Sequence, residues 1–181
     1  MAFNVSEFRA NMVGDGARPN LFAVTLVFPA IVTGGTEAGQ KTTFMAKSSM
    51  LPGSTVNSIT LPYFGRELKF SGNRTFAQWN ITVINDEDFI IRNAMESWMG
   101  VLNSHAGNIR NPGAINSTSY SVDALVNQYG KAGNIIKSYK FVGLFPTDIA
   151  PIDLDWSSND TIEDYSITFD YQYWTSNSTD S

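Results

Sequence analysis

Cysteine is absent from this chain of 181 residues, and histidine occurs once, at His105. Without cysteine the chain can form neither a disulfide nor a thiolate site, which is typical of proteins made in a reducing compartment. A structural zinc site takes about four nitrogen or sulfur ligands, and a catalytic triad needs a base that is both oriented and paired with a nucleophile. One histidine without cysteine is a poor basis for either kind of site.

Long apolar runs are missing as well. The N-terminal segment contains no apolar stretch of the kind that forms a signal peptide. No window approaches the ~20 apolar residues of a membrane-spanning helix. Glycine-rich phosphate loops are also absent. We therefore expect a protein that is made in a cytoplasm and does not insert into membranes.

Two acidic segments are the remaining candidates for chemistry. Residues 85–88 (Asn-Asp-Glu-Asp) could bind calcium, but apolar residues follow from Phe89, where a calcium loop needs further oxygen ligands. Capping of a helix explains these residues better. Asp153 and Asp155 alternate around an apolar residue as a glycosidase pair could, but no cleft signature accompanies them. We expect no catalytic residue, no metal site, no cofactor and hence no enzyme.

Charge is scarce and unevenly placed. Charged residues make up 16% of the chain, below the ~25% of an average soluble domain. The net charge is −5, and no Lys or Arg follows Lys140, whereas Asp and Glu continue to the end. Strong binding of nucleic acid is disfavoured, because its affinity comes mainly from basic side chains that neutralise phosphates. A weakly charged surface suits a subunit that neighbours cover.

Alternation of apolar and polar residues dominates the chain and predicts β-strands. It is clearest at 165–173, where Phe169 and Tyr171 belong to the apolar face, and at 77–83, where Trp79 does. We expect these three aromatic residues to lie in the core. Further strands are predicted at 21–28, 42–48, 63–70, 121–127 and 135–142, and residues 29–41 are predicted to form a hairpin with a long tip.

One segment has the period of an amphipathic helix, from about residue 86 to 103. Asn85 or Asp86 is its predicted cap, and Trp98 is predicted to lie on its buried face. The pattern as a whole predicts an α+β fold, mainly an antiparallel β-sandwich or barrel with this one flanking α-helix. We expect a single domain over 1–181, with a short N-terminal arm (about 1–17) and a flexible polar C-terminal tail (about 175–181).

Several motifs occur in an order that resembles one known family. They are Lys-Ser-Ser-Met-Leu-Pro-Gly-Ser at 47–54, Gly-Asn-Arg-Thr-Phe at 72–76, Trp79, Asn-Asp-Glu at 85–87, Gly-Leu-Phe-Pro-Thr at 143–147 and Asp-Trp-Ser-Ser-Asn at 155–159. Across 16–174 this series resembles the tail tube proteins of contractile-tailed phages (myoviruses). The segments 28–42 and 104–119 depart from the family pattern, as loops commonly do.

The resemblance implies a structural subunit of a contractile tail tube. Six copies would form a ring around a lumen, and stacked rings would form a tube through which viral DNA passes without specific binding. The implied partners are tail sheath, baseplate, tail terminator and tape-measure proteins, in a virion tail assembled in the host bacterial cytoplasm. In this family the segment matching 50–73 reaches a neighbouring ring. We therefore expect inter-subunit contacts at Leu51, Pro52, Gly53, Pro62, Arg66 and Arg74.

Two alternative functions stay open at this stage. Tubes of type VI secretion systems and of phage-derived contractile injection systems have a similar fold. From a different class, exposed aromatic residues on a β-rich chain are also typical of a carbohydrate-binding β-sandwich module. For a tube, the charge of −5 predicts a polar lumen that is net acidic or near neutral, although Lys69, Lys137 and Lys140 could instead face inward.

Overall fold

The computed structural model describes residues 4–179, and it confirms the predicted α+β class with mainly antiparallel strands. The helices are α1 (Val5–Asn11), α2 (Gly35–Met45), α3 (Ile90–Leu102) and α4 (Ser117–Tyr120). The strands are β1 (Phe22–Leu26), β2 (Ala46–Ser49), β3 (Ser54–Tyr63), β4 (Arg66–Phe76), β5 (Trp79–Ile84), β6 (Val122–Tyr129), β7 (Ile135–Ile149), β8 (Asp164–Asp170) and β9 (Tyr173–Ser176).

The long strand β7 joins two antiparallel layers. Its first part pairs with β6 and β9, and β1 lies beyond β6; its last part pairs with β8, which is followed by β5 and β2. Between these parts lies Gly143, with φ +68°, where a Cβ would approach Gln172 Cγ to 2.9 Å. Glycine permits this conformation and this close approach. The bend lets one strand belong to both layers of the sandwich.

The core between the layers is rich in aromatic side chains. Trp79, Trp98 and Phe169 are all at most 1% exposed. The Trp79 ring centroid lies 4.5 Å from that of Phe141 and 5.4 Å from that of Phe169. Tyr171, which the alternation also assigned to the core, is only partly buried at its margin. The reason is that β8 ends at Asp170, so Tyr171 leaves the alternating register.

The predicted helix exists as α3, but it begins at Ile90 and neither Asn85 nor Asp86 caps it. Instead, Asp88 accepts a hydrogen bond of 3.1 Å from the backbone N–H of Ile90. Asp86 and Asp88 both form ion pairs with Lys41 of α2. These carboxylates therefore link α2 to the segment that precedes α3.

The hairpin predicted at 29–41 is wrong, because α2 forms there, and only the last part of the strand predicted at 42–48 enters β2. A Cβ at Gly39 would lie 2.8 Å from the Leu26 carbonyl oxygen of β1. Glycine here permits close packing of a helix on a strand rather than marking a turn. Ala38 and Thr42, one helical turn apart, are fully buried. Two longer helices, not one, therefore flank the sandwich.

The two ends of the chain differ in how they join the fold. The predicted N-terminal arm contains α1, which buries none of its residues, and Asp15, which forms an ion pair of 3.2 Å with Lys131. The tail predicted from 175 begins later, because β9 continues to Ser176, which is buried. Residues 1–3 and 180–181 lie outside the described residues. Within 4–179 no helix has the length and apolar character needed to cross a membrane.

Candidate assembly interface

Strands β3 and β4 form a separate two-stranded sheet that stands away from the sandwich. Every residue of β3 is exposed. The turn is formed by Phe64 and Gly65, whose φ angles of +42° and +79° have the signs that a type I′ hairpin turn requires. At about 3.3 Å per residue, a strand of 10 residues makes an arm of about 33 Å. An arm of this length is marginal without further packing partners.

The two faces of the hairpin differ in chemistry. On one face Ile59 is opposite Phe70 and Leu61 is opposite Leu68, and all four side chains are more than 40% exposed. On the other face Thr60 is opposite Lys69 and Pro62 is opposite Glu67. An exposed apolar face bordered by polar groups is typical of a surface that another protein covers. Alternation places Tyr63, the last residue of β3, on the first face as well. We call this first face the apolar face of the hairpin.

A bulge changes the register of the hairpin near its base. Val56 is opposite Arg74 and Ser58 is opposite Ser71, so β4 has one more residue than β3 in this interval. A Cβ at Gly72 would lie 2.9 Å from the Asn57 carbonyl oxygen, which explains glycine at this position. Because side chains alternate between faces, the extra residue places Arg74 on the polar face with Lys69.

Three aromatic side chains hold the base of the hairpin through backbone carbonyls. Trp79 Nε1 donates to the Met50 carbonyl at 3.1 Å, Tyr171 Oη donates to that of Ala77 at 2.7 Å, and Trp174 Nε1 donates to that of Gly53 at 3.2 Å. Both connections between the hairpin and the sandwich are therefore fixed.

Aromatic packing reinforces this base. The ring of Phe76, the last residue of β4, lies 6.2 Å from that of Tyr171 and 6.4 Å from that of Trp174, measured between centroids. Aromatic pairs at such distances and tilts stabilise by about 0.5–1.5 kcal/mol beyond area burial. Burial also raises the pKa of Tyr171 above its usual value, so its hydroxyl remains a donor to a higher pH than that of an exposed tyrosine. The hairpin is exposed along its length and anchored at its base.

The structure places the expected inter-subunit residues at the two ends of the hairpin, near its tip and at its base. Pro62, Arg66 and Arg74 lie on the hairpin, and residues 51–53 (Leu-Pro-Gly) form the connection between β2 and β3. All but Pro52, which is partly buried, are exposed. Their grouping on one projecting element is compatible with inter-subunit contact, which stays a prediction.

Sequence reasoning missed the strongest features of this surface. The recurrence of Ile59, Leu61 and Tyr63 at every second position was available as a strand signal, but the intervening Pro62 suggested a turn instead. The anchors were not available, because Tyr171 and Trp174 lie about a hundred residues from the carbonyls that they bind, at separations of 94 and 121. Sequence spacing alone does not encode such contacts.

The residues weighed for catalysis have other surroundings in the structure. His105 is exposed in the loop after α3. Asp155 accepts hydrogen bonds from the backbone N–H and the hydroxyl of Ser157, at 2.9 and 2.7 Å, and these bonds lower the pKa of its carboxyl below the usual value. An ionised carboxylate that stabilises its own turn is a structural group.

The geometry is typical of a class of protein, a subunit whose projecting arm leaves an apolar face exposed for a partner to cover. Comparison with known proteins identifies the class further. The chain matches the phage tail tube protein family over residues 17–177. It is 32% identical over 167 residues to the tail tube protein gp19 of Enterobacteria phage T4, covering 92% of this chain and 95% of the T4 protein. It is 28% identical over 172 residues to the tail tube protein of Serratia phage KSP90, covering 94% of each.

Solved structures share the fold at lower identity. The cap that terminates the tube of the anti-feeding prophage matches with a TM-score of 0.64 and 18% identity, over 90% of this chain and 91% of that one. A chain of the sheath–tube complex of the extracellular contractile injection system PVC matches with a TM-score of 0.60 and 15% identity, over 97% and 99%. This chain belongs to the phage tail tube protein family, a family of structural proteins.

Proposed function

We propose that copies of this chain form hexameric rings that stack into the hollow tube of a contractile phage tail. The observation that carries the proposal is the anchored hairpin with its uncovered apolar face. Fully burying a Leu or Phe side chain stabilises by about 1.5–3 kcal/mol, and this face exposes several such side chains together. Contact with a neighbouring copy gains that free energy and removes strand edges that are otherwise unpaired.

In this proposal the chain acts only as a building block. It has no catalytic role and needs no cofactor, and its partners are the tail sheath, the baseplate, the tail terminator and the tape-measure protein. Assembly takes place in the host bacterial cytoplasm. A tube of a phage-derived injection system is the second candidate, because the fold is shared with such tubes. The identity of 32% to a phage protein over nearly the whole chain favours the phage tail, and family membership disfavours a carbohydrate-binding module.

Neighbouring positions on β3 allow a matched test of the hairpin. Leu61 lies on the apolar face and Thr60 on the polar face, and both are exposed. We expect Leu61→Glu and Thr60→Glu to melt like the parent protein, because exposed substitutions usually change stability by no more than about 0.5 kcal/mol. Only Leu61→Glu should raise the concentration needed for tube formation, by a factor of about 100, since it replaces an apolar contact with a buried charge.

Negative-stain electron microscopy and sedimentation measure this outcome. Rings and hollow rods are expected for the parent protein and for Thr60→Glu. A parent protein that stays monomeric at high concentration in near-physiological salt contradicts the proposed function. Normal tubes from Leu61→Glu contradict the role of the apolar face alone.

The charge of the inner wall of the tube decides whether DNA can pass without being held. We propose a lumen wall that is polar and net acidic or near neutral, so that DNA passes without being held. A wall of many Lys and Arg would bind phosphates through counterion release. The side-chain charges lining a reconstructed tube test this directly. A lumen lined predominantly by Lys and Arg, Lys69, Lys137 and Lys140 among them, would refute it.

A further inference from the structure

The segment between β7 and β8, residues 151–163, carries an exposed patch that the fold does not explain. Trp156 is 99% exposed, Leu154 82% and Ile162 76%. These side chains border an open depression of about 440 Å³. Exposed large apolar side chains that cluster together mark an interaction surface. We call residues 151–163 the acidic loop, because all of its charged residues are acidic.

The acidic loop has charge of one sign only. It contains Asp153, Asp155, Asp160 and Glu163 and no Lys or Arg. Within residues 4–179 none of the three aspartates forms an ion pair. Hydrogen bonds from Ser157 hold the pKa of the Asp155 carboxyl below its usual value. A partner for this loop therefore combines an apolar or aromatic group with positive charge.

The hairpin of the same chain has those properties. Arg66, Lys69 and Arg74 outnumber its one acidic residue, Glu67, and form no ion pair within the described part of the chain. At its tip the rings of Tyr63 and Phe64 form an edge-to-face pair with centroids 4.6 Å apart, and Phe64 is 92% exposed.

The hairpin base and the acidic loop lie at opposite ends of the sandwich. Strand β5 follows the hairpin directly at Trp79, which is opposite Phe169 of β8. At the other end of the same pairing Ile84 is opposite Asp164, which directly follows the acidic loop. Six residues of β5 separate the two ends by about 20 Å. Complementary surfaces at opposite ends favour contact between copies in a head-to-tail series.

We propose that the hairpin tip of one copy contacts the acidic loop of the next copy, with its aromatic pair against Trp156 and its basic side chains facing Asp153 and Asp160. The proposal rests on the proposed function, since it names which surfaces meet when copies assemble. Such a contact joins two different surfaces, so its repetition forms a closed ring or a continuing filament. The charge pairs fix which end meets which.

Charge reversal on each side tests the contact. The hairpin variant is Arg66→Glu with Lys69→Glu, and the loop variant is Asp153→Lys with Asp160→Lys; the structure gives none of these four side chains an ion pair within residues 4–179. We expect each variant to raise the concentration needed for tube formation about tenfold, because attraction becomes repulsion at two pairs. A variant with all four changes should return to within about threefold of the parent.

A matched control changes the same number of charges elsewhere. Glu37→Lys with Glu87→Lys alters two exposed carboxylates outside both surfaces and should assemble like the parent protein. Tubes that form normally from the loop variant overturn the inference while leaving the proposed function intact. A fourfold variant that assembles no better than the worse pair also overturns it. Absence of tubes from the parent protein contradicts the proposed function itself.

The lack of cysteine permits a second measurement that does not depend on affinity. With Lys69→Cys and Asp153→Cys in one chain, mild oxidation of assembled tubes should form a ladder of covalent dimers, trimers and longer chains. Each single cysteine variant can give dimers at most. A ladder supports the head-to-tail contact. Assembled tubes that give no ladder overturn the inference.

Discussion

Two tryptophans with opposite surroundings allow a direct test of the core. Trp98 is fully buried, its Nε1 donates to the Tyr120 carbonyl at 2.8 Å, and its ring lies 5.4 Å from that of Phe28 and 6.4 Å from that of Phe169, measured between centroids. Trp156 is almost fully exposed. The same change to alanine should therefore have very different effects on stability.

The size of the difference follows from burial. Replacing a buried Trp by Ala in a packed core costs about 3–5 kcal/mol, out of a typical domain stability of about 5–15 kcal/mol. For a domain of this size, each kcal/mol lowers the melting temperature by about 2–4 °C. We expect Trp98→Ala to melt about 6–20 °C below the parent protein. Trp156→Ala should melt like the parent, within the effect of about 0.5 kcal/mol typical of surface changes.

Thermal melting followed by circular dichroism measures both changes. The samples must be dilute enough to stay monomeric, because assembly would add its own stabilisation. Trp98→Phe keeps most of the ring and loses the hydrogen bond, so an intermediate loss of about 1–3 kcal/mol is expected. An unchanged melting curve for Trp98→Ala, or an equal loss for Trp156→Ala, would refute the reasoning.

Two further predictions concern aromatic polar groups. The Tyr165 hydroxyl is buried with no hydrogen-bond partner among the described residues, and burial raises its pKa to about 12. The folded state then keeps a proton that the unfolded chain releases near pH 10, so stability should fall as pH rises from about 10 towards 12. Tyr165→Phe should make this fall shallower and retain full stability at pH 7, which urea unfolding across pH would show; a fall as steep as that of the parent protein contradicts the assignment. Trp174→Phe keeps a ring but loses the bond to Gly53, so the subunit should fold normally and assemble severalfold less well, because one hydrogen bond contributes about 1 kcal/mol; unchanged tube formation would show that this anchor does not orient the hairpin.

Much of the sandwich was predictable because its signals are local. Alternation predicted β5 and β8, which pair with each other, since a strand with one buried face must repeat apolar residues at every second position. The helical period likewise predicted α3, whose buried Met95 and Trp98 lie on one side. Only the start of this helix was misplaced, because Phe89 has a left-handed backbone conformation, with φ +52°, that the apolar period does not reveal.

The helix α2 could not be predicted in the same way. Its sequence contains glycines at 35 and 39, and glycine lowers helix propensity by about 1 kcal/mol relative to alanine. Tertiary packing overrides this cost, since larger side chains at these positions would collide with Phe28 and with the backbone of Leu26. The two glycines are visible in the sequence, but the close packing that requires them is visible only in the folded chain.

The shape of the candidate interface could not be predicted from the sequence, and contact between copies at this place stays a prediction. The resemblance indicated contacts in 50–73, whereas the structure extends the arm to Phe76 and separates its apolar face from its polar face. Neither the bulge at Gly72 nor the anchors at the base could be inferred, because each depends on the pairing of distant residues. Trp156 was noticed only as part of a family motif, since exposure is a property of the folded chain.

The anchors also affect how strongly copies can associate. A flexible arm must lose conformational freedom when it binds, at about 0.5–1.5 kcal/mol for each side chain that becomes immobile and more for the backbone. Here Tyr171 and Trp174 already hold both connections of the hairpin before any neighbour is present. Less freedom therefore remains to be lost on contact, so more of the free energy from burying the apolar face appears as association. Weakening the anchors should for this reason reduce assembly even though every residue of the hairpin itself is unchanged.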